Sequence, residues 1–206
     1  MTDVLHLVDA ASLGDLGRYA GRARALDDAG AIRLQASGDV LAAWVGVVQG
    51  SGILAEGTVL GLRTFALREP AECDLVVPLG AVTDRTARHD GSGDLAVPPL
   101  RALAPWSAVS PPRSGWEPAG EVPGDDLARA ARAGLDEVSA AVRERGAAAG
   151  FVRDRVWATE VAPGVRAGGA FAAFSLGFLA PGGAVRVFRA NRWTRLTAPG
   201  GHVLMR

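Results

Sequence analysis

The stretch Ala184-Val-Arg-Val-Phe-Arg-Ala-Asn191-Arg-Trp-Thr-Arg-Leu-Thr197, with His202-Val-Leu-Met-Arg206 behind it, decides how this chain is read. Apolar and polar residues alternate through it, and Ala190-Asn191 and Pro199-Gly-Gly201 punctuate it at hairpin spacing. Ala184–Ala190, Arg192–Thr197 and His202–Arg206 therefore read as three antiparallel strands. Such a sheet needs a layer to cover its apolar face. The run from Ala167 to Leu179 supplies one: Phe171, Phe174 and Phe178 line one side of a helix, and Ala172, Leu176 and Leu179 line the other. A helix apolar all round is a buried helix. Ahead of it, Asp125-Asp126 sits where a helix N-terminus favours negative charge, and Leu127, Ala131, Leu135, Val138 and Val142 continue at helical spacing to Gly146. The segment Phe151–Val161 fits a helical turn or a short strand equally well.

The first half carries its own pattern. Ser12 with Asp15 resembles a capping box, and Leu13, Leu16, Ala20, Ala23 and Leu26 mark one helical face that ends near Gly30. Four strands follow: Ile32–Ala36, Val40–Val48, Thr58–Leu67 and Cys73–Leu79. The first pair is joined at Ser37-Gly38-Asp39 and the last pair at Arg68-Glu-Pro-Ala71, and a short helix follows over Ala81–Arg88. Residues 98–123 hold seven of the twelve prolines, too many for a helix or an inner strand, so they form an extended connector. Trp106 and Trp116 within it predict that it is pinned to the body of the protein.

The expected architecture is α+β. It comprises an N-terminal helix plus a four-stranded antiparallel meander (residues 1–97), a Pro/Trp connector (98–124) and C-terminal helices plus a three-stranded antiparallel sheet (125–206). The two halves share a single structural domain or stand as two.

Charge is distributed unevenly. The chain is formally neutral and every basic side chain other than histidine is arginine. Residues 1–92 hold 8 Arg against 12 acids, residues 93–150 hold 6 against 8, and residues 151–206 hold 8 against 2. A basic tail speaks to partners. Helices followed by a hairpin rich in Arg186, Arg189, Arg192 and Arg195 have the topology of a winged helix whose wing touches phosphates, with Trp193 stacking on a base. Two features oppose this. The Ala167–Leu179 helix has no polar face for a groove, and Arg186 and Arg189 fall on opposite sides of one strand. The simpler expectation is that these arginines neutralise the acidic first half. Trp193 between Arg192 and Arg195 is the expected partner-facing anchor, so Arg186, Arg189, Arg192, Trp193 and Arg195 form the candidate interaction surface.

Enzymatic chemistry finds little support. There are three histidines, His6, His89 and His202, and no Gly-x-Ser-x-Gly elbow. His89-Asp90 beside Ser92 reads as a loop rather than as base and nucleophile. Cys73, the single cysteine, excludes an intrachain disulfide and reads as a small buried hydrophobe. No metal-ligand spacing, Walker motif or dinucleotide motif is present, so neither cofactor nor metal is expected. The paired acids Asp27-Asp28, Asp125-Asp126 and Asp136-Glu137 fit helix termini and solvated faces. The opening residues lack the basic and apolar regions of a signal peptide, and the longest apolar run, Ala170–Ala180, falls short of the roughly twenty residues that a spanning helix requires. A cytoplasmic protein without membrane association is expected.

Pro111-Pro112, Gly115-Trp116, Gly120-Glu-Val-Pro123 leading into the Leu127 helix, Gly177-Phe-Leu179 and Arg192-Trp193 together resemble uncharacterised actinobacterial conserved hypothetical proteins. That resemblance implies a bacterial cytosolic origin and carries over no functional residue. The expected function is a non-enzymatic protein-interaction or self-association module, a possible homo-oligomer. The alternative is nucleic-acid or polyanion binding through the C-terminal hairpin, and a small-molecule enzyme ranks third.

Overall fold

The computed structural model describes residues 3–52, 55–88, 91–146 and 150–206. The fold is α+β, with antiparallel strands and five α-helices among the described residues. It divides into two compact units: Met1–Val47 with Leu62–Ser110, and Val48–Gly61 with Pro111–Arg206.

In the first unit, helix α1 (Ala10–Leu26) buries Leu13, Leu16, Tyr19, Ala20 and Ala23, as its periodicity predicts. Its cap is not the expected Ser12. Asp9 takes that position and accepts the Ser12 amide at 2.7 Å, satisfying one of the orphan donors of the first turn. Strand β1 (Val4–His6) pairs antiparallel with β4 (Asp94–Ala96), and helix α2 (Leu79–Ala87) closes the unit.

The expected meander takes a different form. Its four segments are the halves of two long strands, β2 (Ala31–Val48) and β3 (Val59–Pro78), hydrogen-bonded to each other. Neither predicted turn reverses the chain. Gly38 has a positive φ of 59°, as in a hairpin loop, but Glu72 on the facing strand accepts its amide at 2.9 Å and the Ser37 hydroxyl at 3.2 Å. Turn-forming residues that face each other in a ladder serve one another as partners, and both strands run through. Farther along, Arg33 donates to both oxygens of Asp74 at 2.6 Å and to the Ser107 carbonyl at 3.0 Å. The connector is pinned here: Trp106, in a 3-10 turn over Pro105–Ala108, packs on the backbone of Gly46.

In the second unit, α3 (Gly124–Arg145), α4 (Gly150–Ala158) and α5 (Ala167–Ser175) accompany a short hairpin of β6 (Glu160–Ala162) and β7 (Val165–Arg166). Their core holds Ala141, Val152, Val156, Trp157 and Ala167, with Phe171 stacked on Trp157 at 4.4 Å. The ambiguous Phe151–Val161 segment thus supplies both a helix and a strand. The three C-terminal strands form where alternation places them: β8 (Ala184–Ala190), β9 (Trp193–Ala198) and β10 (Gly201–Met205). The start of β3 adjoins β10; just before it, the Gly57 amide donates to the Arg206 carbonyl at 2.9 Å and the Arg206 amide donates to the Thr58 carbonyl at 3.0 Å. On the other side of β8 lies β5 (Glu117–Pro123), drawn from the proline-rich connector. Pro118 and Pro123 are tolerated because β5 is an edge strand, and a bulge between Pro118 and Gly120 interrupts its register.

Candidate functional site

Cross-strand register places Arg186 opposite Thr197, Phe188 opposite Arg195, and Thr197 opposite His202. Residues paired across a ladder share a face, so these five side chains stand together on one side of the second unit's sheet. Trp116, just before β5, completes the group. The Arg195 guanidinium lies over two rings, 4.6 Å from the centroids of Trp116 and of Phe188. Arg186 sits 5.6 Å from the Phe188 centroid. Trp116 is fixed from behind, its indole N–H donating to the Pro112 carbonyl at 3.0 Å. The Arg195 guanidinium forms no hydrogen bond or ion pair with any described residue, and its Nε is buried without an acceptor. Burial and the charge of Arg186 both lower its affinity for a proton. His202, hydrogen-bonded to the Thr197 hydroxyl at 3.1 Å, is held below the ordinary histidine range by burial first, then by Arg195 and Arg186.

The five residues of the predicted surface do not all come together. Arg186 and Arg195 share this face. Arg189 projects from the opposite one, where its guanidinium lies against Gly164, confirming the parity argument. Arg192 forms an ion pair with Glu56 at 3.5 Å. Trp193, expected as an exposed anchor, is only 5% exposed, because it and the small Ala190 pair at a covered end of the face. Trp116, and not Trp193, lies against Arg195. The hairpin is no free wing either, since β5 and β10 flank it within the sheet. Among the described contacts of these four arginines, neutralisation by an acid of the first half is confined to Arg192.

A second feature of this unit is a cavity of about 400 Å³. Val48, Val59, Trp157, Ala158 and Met205 give it apolar walls, and Gln49, Ser51, Glu56 and Arg166 stand among its polar groups. Its size and lining suit a side chain or a small molecule.

In the first unit, an open cleft of about 570 Å³ gathers His6, Asp94, Ser92, Arg85 and Arg88. His6 Nδ1 lies 2.9 Å from Asp94, and its Nε2 is 3.9 Å from Glu69. Arg68 binds the same Asp94 oxygen at 3.1 Å. Both ring nitrogens therefore face carboxylates, and Ser92 instead accepts the Asp94 amide at 3.2 Å. His6, Arg68, Glu69 and Asp94 thus form one connected polar network. The His89-Asp90 reading lies outside the described residues. Burial raises the Cys73 thiol, which points at the Leu34 carbonyl and stays protonated at neutral pH. Among the described residues no group of three His, Cys, Asp or Glu side chains could hold a metal ion, and no helix is long and apolar enough to cross a membrane.

The fold resembles that of solved sliding clamps. The chain is similar over its full length to 65% of the DNA polymerase sliding clamp from Caulobacter crescentus, at 10% identity and a TM-score of 0.52. It is similar over 98% of its length to 64% of the C. crescentus beta sliding clamp determined with PEG bound, at 12% identity and a TM-score of 0.50. It thus spans just under two-thirds of either clamp chain. Residues 1–108 match the family described as Domain of unknown function (DUF8010), and the chain belongs to it. Residues 111–206 match Domain of unknown function (DUF8185), so the border between the two falls within the connector. No curated protein matches the chain.

Proposed function

We propose that this chain is a protein-interaction module of clamp-like fold that receives an apolar side chain of a partner protein in the cavity of its second unit. The observation that supports this reading is the pairing of apolar walls, Val48, Val59, Trp157 and Met205, with polar groups from Gln49, Ser51 and Glu56. A desolvated pocket ringed by polar groups is how a single anchoring residue contributes most of the energy of a protein contact. A second copy of the chain and a different protein are the two kinds of partner. The clamp neighbours supply the fold for this reading, and the cavity supplies the contact.

The test is photo-crosslinking in cells with a reactive amino acid placed at Gln49. Protein adducts are expected there and not from the same group at Arg22 on α1. Filling the cavity with Ala158→Trp, at an exposed wall position, removes them. Identical adduct patterns at both positions, or no adducts at Gln49, would refute the reading. Size-exclusion chromatography with light scattering assigns the partner class: a monomer at high concentration eliminates the second copy.

A further inference from the structure

We infer that the Trp116–Arg195–Phe188 face of the second unit is a receptor for the carboxylates of an acidic peptide segment on a partner protein. This deepens the reading of the chain as an interaction module, but it uses a surface that shares no residue with the cavity.

The Arg195 guanidinium has unused hydrogen-bond donors. A guanidinium carries five N–H donors in one plane, and a part-buried one ordinarily meets a carboxylate or carbonyls. Arg33 shows the ordinary case in this chain, with Asp74 and Ser107 as its acceptors. Arg195 lies over two aromatic rings and has no acceptor among the described residues. The rings restrain the guanidinium, and with Nε buried it is the terminal nitrogens that remain for an end-on bidentate carboxylate contact. Arg186, exposed and on the same face, adds a second charge, also without an ion pair among the described residues. Glu121 stands across from Arg186 on β5, but the two form no ion pair.

Charge count and layout favour a carboxylate over a nucleic-acid backbone. A phosphate strand presents a charge at every nucleotide, and binding it takes a track of cations. Here the track is absent: Arg189 points to the other side, Arg192 is engaged by Glu56, and burial, then Arg195 and Arg186, holds His202 below the ordinary histidine range. Two cations beside two aromatic rings match one or two carboxylates carried on a peptide.

The experiment uses the full chain and a fluorescein-labelled, C-terminally amidated peptide of alternating Glu and Ala, read by anisotropy. The matched Gln–Ala peptide and a thymidine oligonucleotide of equal charge are run beside it. Expected are binding of the Glu–Ala peptide alone, and a loss of about tenfold or more in Arg195→Lys, the scale of one charge-assisted contact. Arg186→Gln, at an exposed position, weakens binding without touching the fold, and Arg189→Gln on the opposite face leaves it unchanged. Absence of Glu–Ala binding, equal binding of the Gln–Ala peptide, insensitivity to Arg186→Gln, or equal affinity for the oligonucleotide would each overturn the inference. Crosslinking at Gln49 would be unaffected by any of these results, so the two readings fail separately.

Discussion

The indole of Trp106 occupies the space that a Cβ on Gly46 would need. The connector is thereby locked onto β2 by the absence of a side chain. Gly46→Ala is expected to cost about 1–3 kcal/mol through overpacking, and Trp106→Ala about 3–5 kcal/mol through the void it leaves. Urea unfolding measures both. A neutral Gly46→Ala would mean that the indole can step aside.

Arg33 and Asp74 join β2 to β3 through two parallel hydrogen bonds, with the Arg33 side chain 20% exposed. The neighbouring carboxylate raises the Arg33 guanidinium's affinity for its proton. Asp74→Asn is expected to destabilise by about 1–2 kcal/mol, a figure held down by the partial exposure of the pair. A double-mutant cycle with Arg33→Gln should recover most of that value as coupling energy.

His202 contributes to the pH dependence below neutrality. Its folded-state pKa is depressed, so the unfolded chain binds the extra proton first. Its contribution to stability is complete above the ordinary histidine pKa and is lost as pH falls through the folded value. Chemical unfolding measured across that window should show a slope that flattens in His202→Gln. An unchanged slope would mean that the ring is as well solvated as it is in the unfolded chain.

At the start of α1, hydrogen bonds from the Ser12 side chain and then its backbone hold the Asp9 carboxyl below the usual aspartate range. The same sign rule applies: this support is present above the unfolded pKa and is lost as pH falls through the folded one. Asp9→Ala should lower the melting midpoint at neutral pH and match the parent once the acid is protonated. Thermal scans along a pH series test this.

Residues that alternate without interruption were readable in advance. Strands β8, β9 and β10 and the buried α5 follow directly from Val185, Val187, Leu196 and Val203 and from the Phe171 segment. What failed was chemistry that depends on an unseen partner. Ser37-Gly38-Asp39 has the composition of a hairpin, and only Glu72, across the ladder, makes it part of a strand. Pro118 and Pro123 argue against pairing until β5 is known to lie at an edge. At the site, parity correctly separated Arg189 from Arg186. It does not say which end of a face is covered, so alternation points to Trp193 and not to Trp116, whose place depends on the connector returning beside β8. Phe188, opposite Arg195 by register, could have been found from the hairpin alone.

The bulged, proline-bearing strand β5 has a consequence for assembly. Its Glu117 and Glu121 are exposed, and Pro118 and Pro123 offer no N–H to an incoming chain. A strand from a neighbouring molecule docking there would meet gaps in the ladder and two negative charges, so polymerisation by sheet extension is blocked at this border.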